Sequence, residues 1–339
     1  MPKIIFDNYP AATVACFDAT YGELPRRELD IKRNNHFLKS LADHGAEAVL
    51  IGASTGHGHV RTPEELDAWF ASTRLVDLGA TVKIALLRPE DGPQWHVKHV
   101  QTLKDSGFDV AFVRPGTDLD PNATDEQVAL NMNSANRAIA EAGLTLGVYS
   151  IPDVSGLTLR PDAVALIRDQ FSDSLVAVKI TESSYEDSTR KFLNDSRLNG
   201  LKIVQGWDPF LANALKDDPN RCGVTSGPMS FALFQYLHIL DAAGRKDWGE
   251  VTSSQQAVTQ LFQSMQDDPA RFADLQRAKY MMGLGYPLTS SVSSEQTDRV
   301  LAALDSLPRT ADQNRLAKSL DLMGDGPFSD RLQDYIFEQ

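Results

Sequence analysis

The chain has 339 residues, 42% hydrophobic and 23% charged, with a formal net charge of −13. That is material for one large α/β domain with an appendix, and its scattered acidic residues argue against nucleic acid or an anionic membrane as the main partner. No run approaches the roughly 18 apolar residues of a membrane span. The opening MPKIIFDNYP lacks the apolar stretch of a signal peptide, and Cys16 and Cys222 lack metal-ligand spacing, so the expectation is a cytoplasmic protein with two reduced, buried thiols.

Eight short apolar runs follow one another along the chain. They are ATVACF (12–17), AVLIG (48–52), VKIALL (82–87), DVAFVRP (109–115), TLGVYSIP (145–152), VAVKIT (176–181), KIVQG (202–206) and CGVTS (222–226). Each precedes a helix-like segment, a rhythm of roughly 20 to 35 residues that marks repeated βα units. TPEELDAWF from Thr62 opens with a capping threonine, a proline and two acids, and LRPDAVALIRD repeats the proline-then-acid opening. Eight such units predict a (β/α)8 barrel, and no G-x-G-x-x-G follows a strand to support a dinucleotide-binding sheet. From about residue 230 the pattern is helical throughout. The segment FALFQYLHILDAAG reads as the last barrel helix. The reading therefore divides the chain into a barrel over 10–245 and a C-terminal helical domain and tail over 246–339.

Within VAVKIT, strand alternation sets Val176, Val178 and Ile180 on one face and Ala177, Lys179 and Thr181 on the other. TLGVYS likewise sets Thr145, Gly147 and Tyr149 together. A structural barrel interior fills such places with branched apolar residues. One lysine and one tyrosine among small neighbours instead mark Lys179 as functional, a candidate nucleophilic amine with room left around it on the Ala177 and Thr181 face. The loops at the C-terminal strand ends, where barrel enzymes place their chemistry, add GASTGHGHV, GWDPF and GVTSGPMS. Their glycines allow backbone N–H groups close to a ligand, and the hydroxyls of Ser54, Thr55, Thr225 and Ser226 can hold a carboxylate. GVTSGPMS is also compatible with a phosphate cradle, and Trp207 either lines the pocket mouth or caps the barrel.

GASTGHGHVRTPEE, VYSIPDVSGLTL, VAVKITESSYED and GVTS resemble, in order, the motifs of the dihydrodipicolinate synthase / N-acetylneuraminate lyase family of Schiff-base aldolases. ATVACFDATYGELPRREL resembles its opening strand, and KYMMGLGYPLTSSVSSEQ its C-terminal helical region; together the likeness spans roughly residues 10–305. The resemblance implies a barrel with a small helical domain, a homotetramer, and pyruvate or a pyruvate-derived 2-keto acid as substrate with an aldehyde as partner. It implies that Lys179 forms the Schiff base, with no other cofactor and no metal, and that Tyr149 moves protons. It implies that Thr55 and Ser54 hold the keto-acid carboxylate and relay protons, and that Gly206, Asp208 and Ser226 contact the distal part of the substrate.

This chain departs from the pattern at four places. Val154 stands where the synthase branch has a carboxylate-binding arginine, which argues against dihydrodipicolinate synthase activity itself. His57 follows Gly56 where many members have glutamate. No tyrosine follows the fourth strand, where Arg114 or Thr117 is the candidate stand-in. Pro209 follows Asp208 in place of an acid, so a shorter sugar-derived or an aromatic keto acid fits as well as sialic acid. Two further readings stay open: a non-catalytic keto-acid binder that kept Lys179, and a metal-dependent class II aldolase using His57 and His59. His96 and His99, a helical turn apart, are expected on an outer helix.

Overall fold

The computed structural model describes residues 9–21 and 28–264, Lys279, residues 282–285, and single positions at Glu295, Asp298, Arg299 and Ala302. Eight parallel strands close in sequence order into a barrel: β1 (Ala12–Ala15), β2 (Ala48–Ile51), β3 (Val82–Leu87), β4 (Val110–Val113), β5 (Thr145–Ser150), β6 (Leu175–Ile180), β7 (Lys202–Gln205) and β8 (Cys222–Ser226), with β8 pairing back to β1. The helices are α1 (Ile31–Asp43), α2 (Pro63–Ser72), α3 (Pro93–Asp105), α4 (Asp125–Glu141), α5 (Pro152–Ser155), α6 (Pro161–Gln170), α7 (Thr189–Asn194), α8 (Leu211–Asp217), α9 (Met229–Gly244) and α10 (Trp248–Ser264). This is the (β/α)8 barrel that the repeat predicts, and α9 is its last helix. Of the helices expected after residue 245, α10 packs on α9. The others, and the tail past residue 307, fall almost wholly outside the described residues.

The helices begin where local chemistry starts them. Thr62 and Glu65 form a capping box on α2, with Pro63 at its first position. Thr124 and Gln127 form another on α4. β1 is shorter than the apolar run 12–17, because only Cys16 continues its ladder, donating N–H to the Leu50 carbonyl at 2.9 Å. Phe17 and Asp18 then turn away from the sheet. Both cysteines are buried free thiols. Among the described residues no helix is long and apolar enough to cross a membrane.

The β4–β5 and β5–β6 registers align Phe112 with Gly147, Gly147 with Ala177, and Tyr149 with Lys179. The space beside Gly147 is filled by the neighbouring strand. A Cβ there would lie 2.4 Å from the Phe112 ring, which fills the interior and meets Tyr9 edge-on at 5.9 Å. Phe112 and Tyr9 thus fill the barrel interior beside Gly147. His96 and His99 do lie on outer helix α3, but both are buried on its inner side. His96 bonds Ser134 Oγ and the Arg88 carbonyl at 3.0 Å each. His99 faces Asp67 of α2 at 3.3 Å, so His96 braces the residue after β3 while His99 ties α3 to α2.

Candidate active site

Lys179 is 4% exposed, and its Nζ lies 4.1 Å from the centroid of the Tyr149 ring. Burial lowers its pKa to about 7, against an opposing pull from the Asp208 carboxylate. Near neutral pH about half of the amine is then unprotonated, against about one molecule in 2,500 for an ordinary lysine. A nucleophilic amine inside a barrel mouth is the chemistry this placement makes available.

Tyr149 is buried beside it on β5. Its hydroxyl shares a hydrogen bond with Thr181 Oγ1 at 3.0 Å. Burial raises the phenol pKa well above the ordinary value, while the Thr181 hydroxyl and the charge of Arg114 act to lower it. Thr181 stands two residues beyond Lys179 on the same face, as the alternation predicts, but as a partner of Tyr149 it was not foreseen. Gly206 closes over this group: a Cβ on it would lie 2.1 Å from Thr181 Oγ1 and 3.1 Å from Lys179 Cε. Glycine is needed there for close approach, and Gly206 N–H is fixed by a 2.7 Å bond to the Ile180 carbonyl.

Asp208 follows β7 in the turn Asp208–Phe210 and is 1% exposed. Burial raises its pKa to about 6, opposed by the hydroxyls of Ser226 and Tyr236 and by Lys179. Ser226 Oγ donates to Tyr236 Oη at 3.1 Å. Tyr236 is the second group the sequence did not announce, since a tyrosine in the apolar helix FALFQYLHIL reads as core. The Asp208 Oδ1 atom is buried with no hydrogen-bond partner among the described residues. Thr225 lies elsewhere in the interior: it aligns with Thr13 across β8 and β1, and both hydroxyls stand by the Tyr9 phenol. Trp207 packs on Phe262 of α10, ring centroids 5.1 Å apart.

Ser54 and Thr55 occupy a single 3-10 turn, Ser54–Gly56, directly after β2, and both are buried. The Ser54 hydroxyl has no hydrogen-bond partner among the described residues. His57 next to them adopts a left-handed backbone, φ 57°, a conformation costly for a side chain with a Cβ. Gly58 permits the tight return, because a Cβ there would collide with the Gly52 carbonyl at 1.6 Å. The His57 ring is buried and hydrogen-bonded, its Nδ1 3.2 Å from Asp18 Oδ1. Asp18 also pairs with Arg61 and with Lys279 Nζ, the latter at 3.1 Å. Burial alone would raise the Asp18 pKa, but Lys279, His57 and Arg61 together hold it well below the ordinary carboxylate value. Burial lowers the pKa of His57, against Asp18, and brings His59 to about 4 with help from His57, Arg114 and Arg88. Among the described residues no three His, Cys, Asp or Glu side chains form a metal-holding cluster.

Of the two candidates for the missing strand-four tyrosine, Thr117 is exposed and Arg114 is fully buried. Arg114 follows the Val113–Val148 pair, which brings it level with Tyr149 on the adjacent strand. Its guanidinium is held by Glu90, with Nη1 to Oε2 at 3.2 Å, and by the Pro115 carbonyl at 2.8 Å.

By sequence the chain matches no family model and no curated protein. By structure it is similar to dihydrodipicolinate synthase from Bacillus anthracis, with TM-score 0.73 and 17% identity, covering 90% of this chain and 100% of that one. It is also similar to a pyruvate-bound prophage protein of the dihydrodipicolinic acid synthase family from E. coli K12 (TM-score 0.75, 16% identity, 87% and 97% covered). A catalytic-lysine mutant of the sialic acid aldolase of Ruminococcus gnavus gives TM-score 0.73 at 14% identity, with 94% and 98% covered. At these identities the likeness establishes the fold: a (β/α)8 barrel of the dihydrodipicolinate synthase and sialic acid aldolase type.

Proposed function

We propose that the chain is a class I lyase of the dihydrodipicolinate synthase / N-acetylneuraminate lyase family. It makes or breaks a carbon–carbon bond in pyruvate or a pyruvate-derived 2-keto acid. The observation that carries this reading is Lys179: a buried amine with a pKa lowered to about 7, set over the ring of a buried tyrosine at the mouth of the barrel. The neutral amine adds to the C2 carbonyl and expels water to form an iminium, with Tyr149 moving the proton. The iminium draws electrons from the C3–C4 bond as it breaks, or stabilises the enamine that attacks an aldehyde. Ser54 and Thr55 hold the keto-acid carboxylate, for which the unpartnered Ser54 hydroxyl is a ready donor. Gly206, Asp208 and Ser226 bound the distal part of the substrate; Thr225, which faces Thr13 and Tyr9, stands apart from that wall.

Dihydrodipicolinate synthase activity itself is not proposed, because Val154 on α5 offers no cation for a second carboxylate. The reading extends to a cytoplasmic homotetramer whose site lies in residues 10–245, with residues 246–339 as a second domain. The test is a panel of aldol-type 2-keto acids differing in the length and charge of the aldehyde half, assayed for pyruvate release with and without a chelator. Cleavage of at least one member, unaffected by the chelator, is expected. Binding of 2-keto acids without turnover of any would assign the chain to the non-catalytic binders, and chelator-sensitive cleavage would assign it to the metal-dependent aldolases.

A further inference from the structure

The hydroxyl that the Tyr149 phenol bonds comes from Thr181, two residues past Lys179, at 3.0 Å. The two ends of this bond differ in their surroundings. Tyr149 is 3% exposed, whereas Thr181 is half-buried. The bond therefore runs across the end of the sheet, from a buried phenol on β5 to a less buried residue just past β6. The place is built for it. Thr181 N–H is fixed to the Ser150 carbonyl at 2.9 Å, and the β-branched side chain has few rotamers. Gly206 leaves the space that Thr181 Oγ1 occupies, since a Cβ there would come within 2.1 Å of it. A hydroxyl can accept one proton while donating another, which a methyl group in the same place cannot do.

We propose that Thr181 is the positioning and relay hydroxyl of Tyr149, completing the proton path within one chain where no tyrosine follows β4. The inference rests on the Schiff-base reading of Lys179. The amine adds to the C2 carbonyl of the keto acid, and a proton passes from nitrogen to oxygen to give the carbinolamine. The carbinolamine C–O bond then breaks; its oxygen leaves as water with the phenolic proton of Tyr149, and the nitrogen lone pair forms the C=N bond. The phenolate regains its proton from Thr181 Oγ, which takes one from solvent. One proton is consumed from water for each iminium formed, and nothing is oxidised or reduced.

Pyruvate is the probe, so no aldehyde need be known. In D2O, proton NMR follows loss of the pyruvate methyl signal, which requires the iminium and deprotonation at C3. Borohydride trapping and intact-protein mass report the adduct itself. Wild type is expected to give both. Thr181→Val, which keeps the branched shape, is expected to reach the same trapped mass at long incubation but to exchange about 10- to 100-fold more slowly. Thr181→Ser, which keeps the hydroxyl, is expected within about threefold of wild type. Should the valine variant not fold, comparing Thr181→Ala with Thr181→Ser makes the same distinction. Exchange at the wild-type rate in a variant without the hydroxyl overturns the inference alone, as does a serine variant as slow as valine. Absence of a trapped adduct in folded wild type overturns both this inference and the reading of Lys179.

Discussion

Replacing Lys179 by methionine is expected to stabilise the folded protein at neutral pH. Its pKa is about 7 in the fold, lowered by burial, and about 10.4 in the unfolded chain. Between those values the unfolded state binds more protons, so wild-type stability rises with pH through that window, and the penalty is fully present below about pH 7. Integrated, it amounts to about 4 kcal/mol at pH 7 and about 2 kcal/mol at pH 9. Methionine fills a similar volume without a charge to desolvate. Urea midpoints for wild type and Lys179→Met at both pH values are the assay. The variant is expected to be more stable by up to about 4 kcal/mol at pH 7, with the difference about halved at pH 9. If instead Lys179 were a charged group tied to Asp208, removing it would strand a buried carboxylate. A loss of about 3 to 5 kcal/mol at pH 7 would then appear and would refute the neutral-amine account.

The acid limb of kcat/KM is expected near pH 7, because the ammonium form of Lys179 cannot attack. Since Asp208 acts to raise the Lys179 pKa, Asp208→Asn should move that limb to lower pH, read from pH–rate profiles; a shift upward would contradict it. Gly206→Ala should lower kcat by at least about tenfold with the barrel intact by circular dichroism, because its Cβ would come within 2.1 Å of Thr181 Oγ1. Wild-type turnover in that variant would show that the close packing there is dispensable. Asp18→Asn takes from Arg61 and Lys279 the buried carboxylate they share, Arg61 keeping Glu65 at 3.4 Å, and should cost about 3 to 5 kcal/mol, seen as a lower thermal midpoint; an unchanged midpoint would mean that the cluster is not a structural tie.

The barrel was legible because β-strand alternation and helix-opening signals recur at a steady spacing, and neither depends on distant contacts. Lys179 and Tyr149 were legible for a related reason: a charged or phenolic side chain on an inward face contradicts what a structural strand would carry. Thr181 lay in plain view on that face, but a threonine in a strand is ordinary, and only the approach of the Tyr149 hydroxyl gives it meaning. Tyr236 carried no signal, since its hydroxyl finds Ser226 and Asp208 only once the fold has brought α9 against β8 and β1. The Asp18, Arg61 and Lys279 cluster joins positions far apart in the chain, and His57 became intelligible only as part of it. Thr225 shows the limit of motif reading. Its neighbour Ser226 belongs to the Asp208 group, whereas strand alternation turns Thr225 itself toward Thr13 and Tyr9.

The central claim is that Lys179 is a neutral nucleophile for 2-keto acids. Its most direct test is incubation of wild type and Lys179→Ala with pyruvate and borohydride, followed by intact mass and peptide mapping. The account predicts the mass of one reduced pyruvate on the Lys179 peptide of wild type and none on the variant. Folded wild type without an adduct, or an adduct of equal yield on the variant, would contradict it.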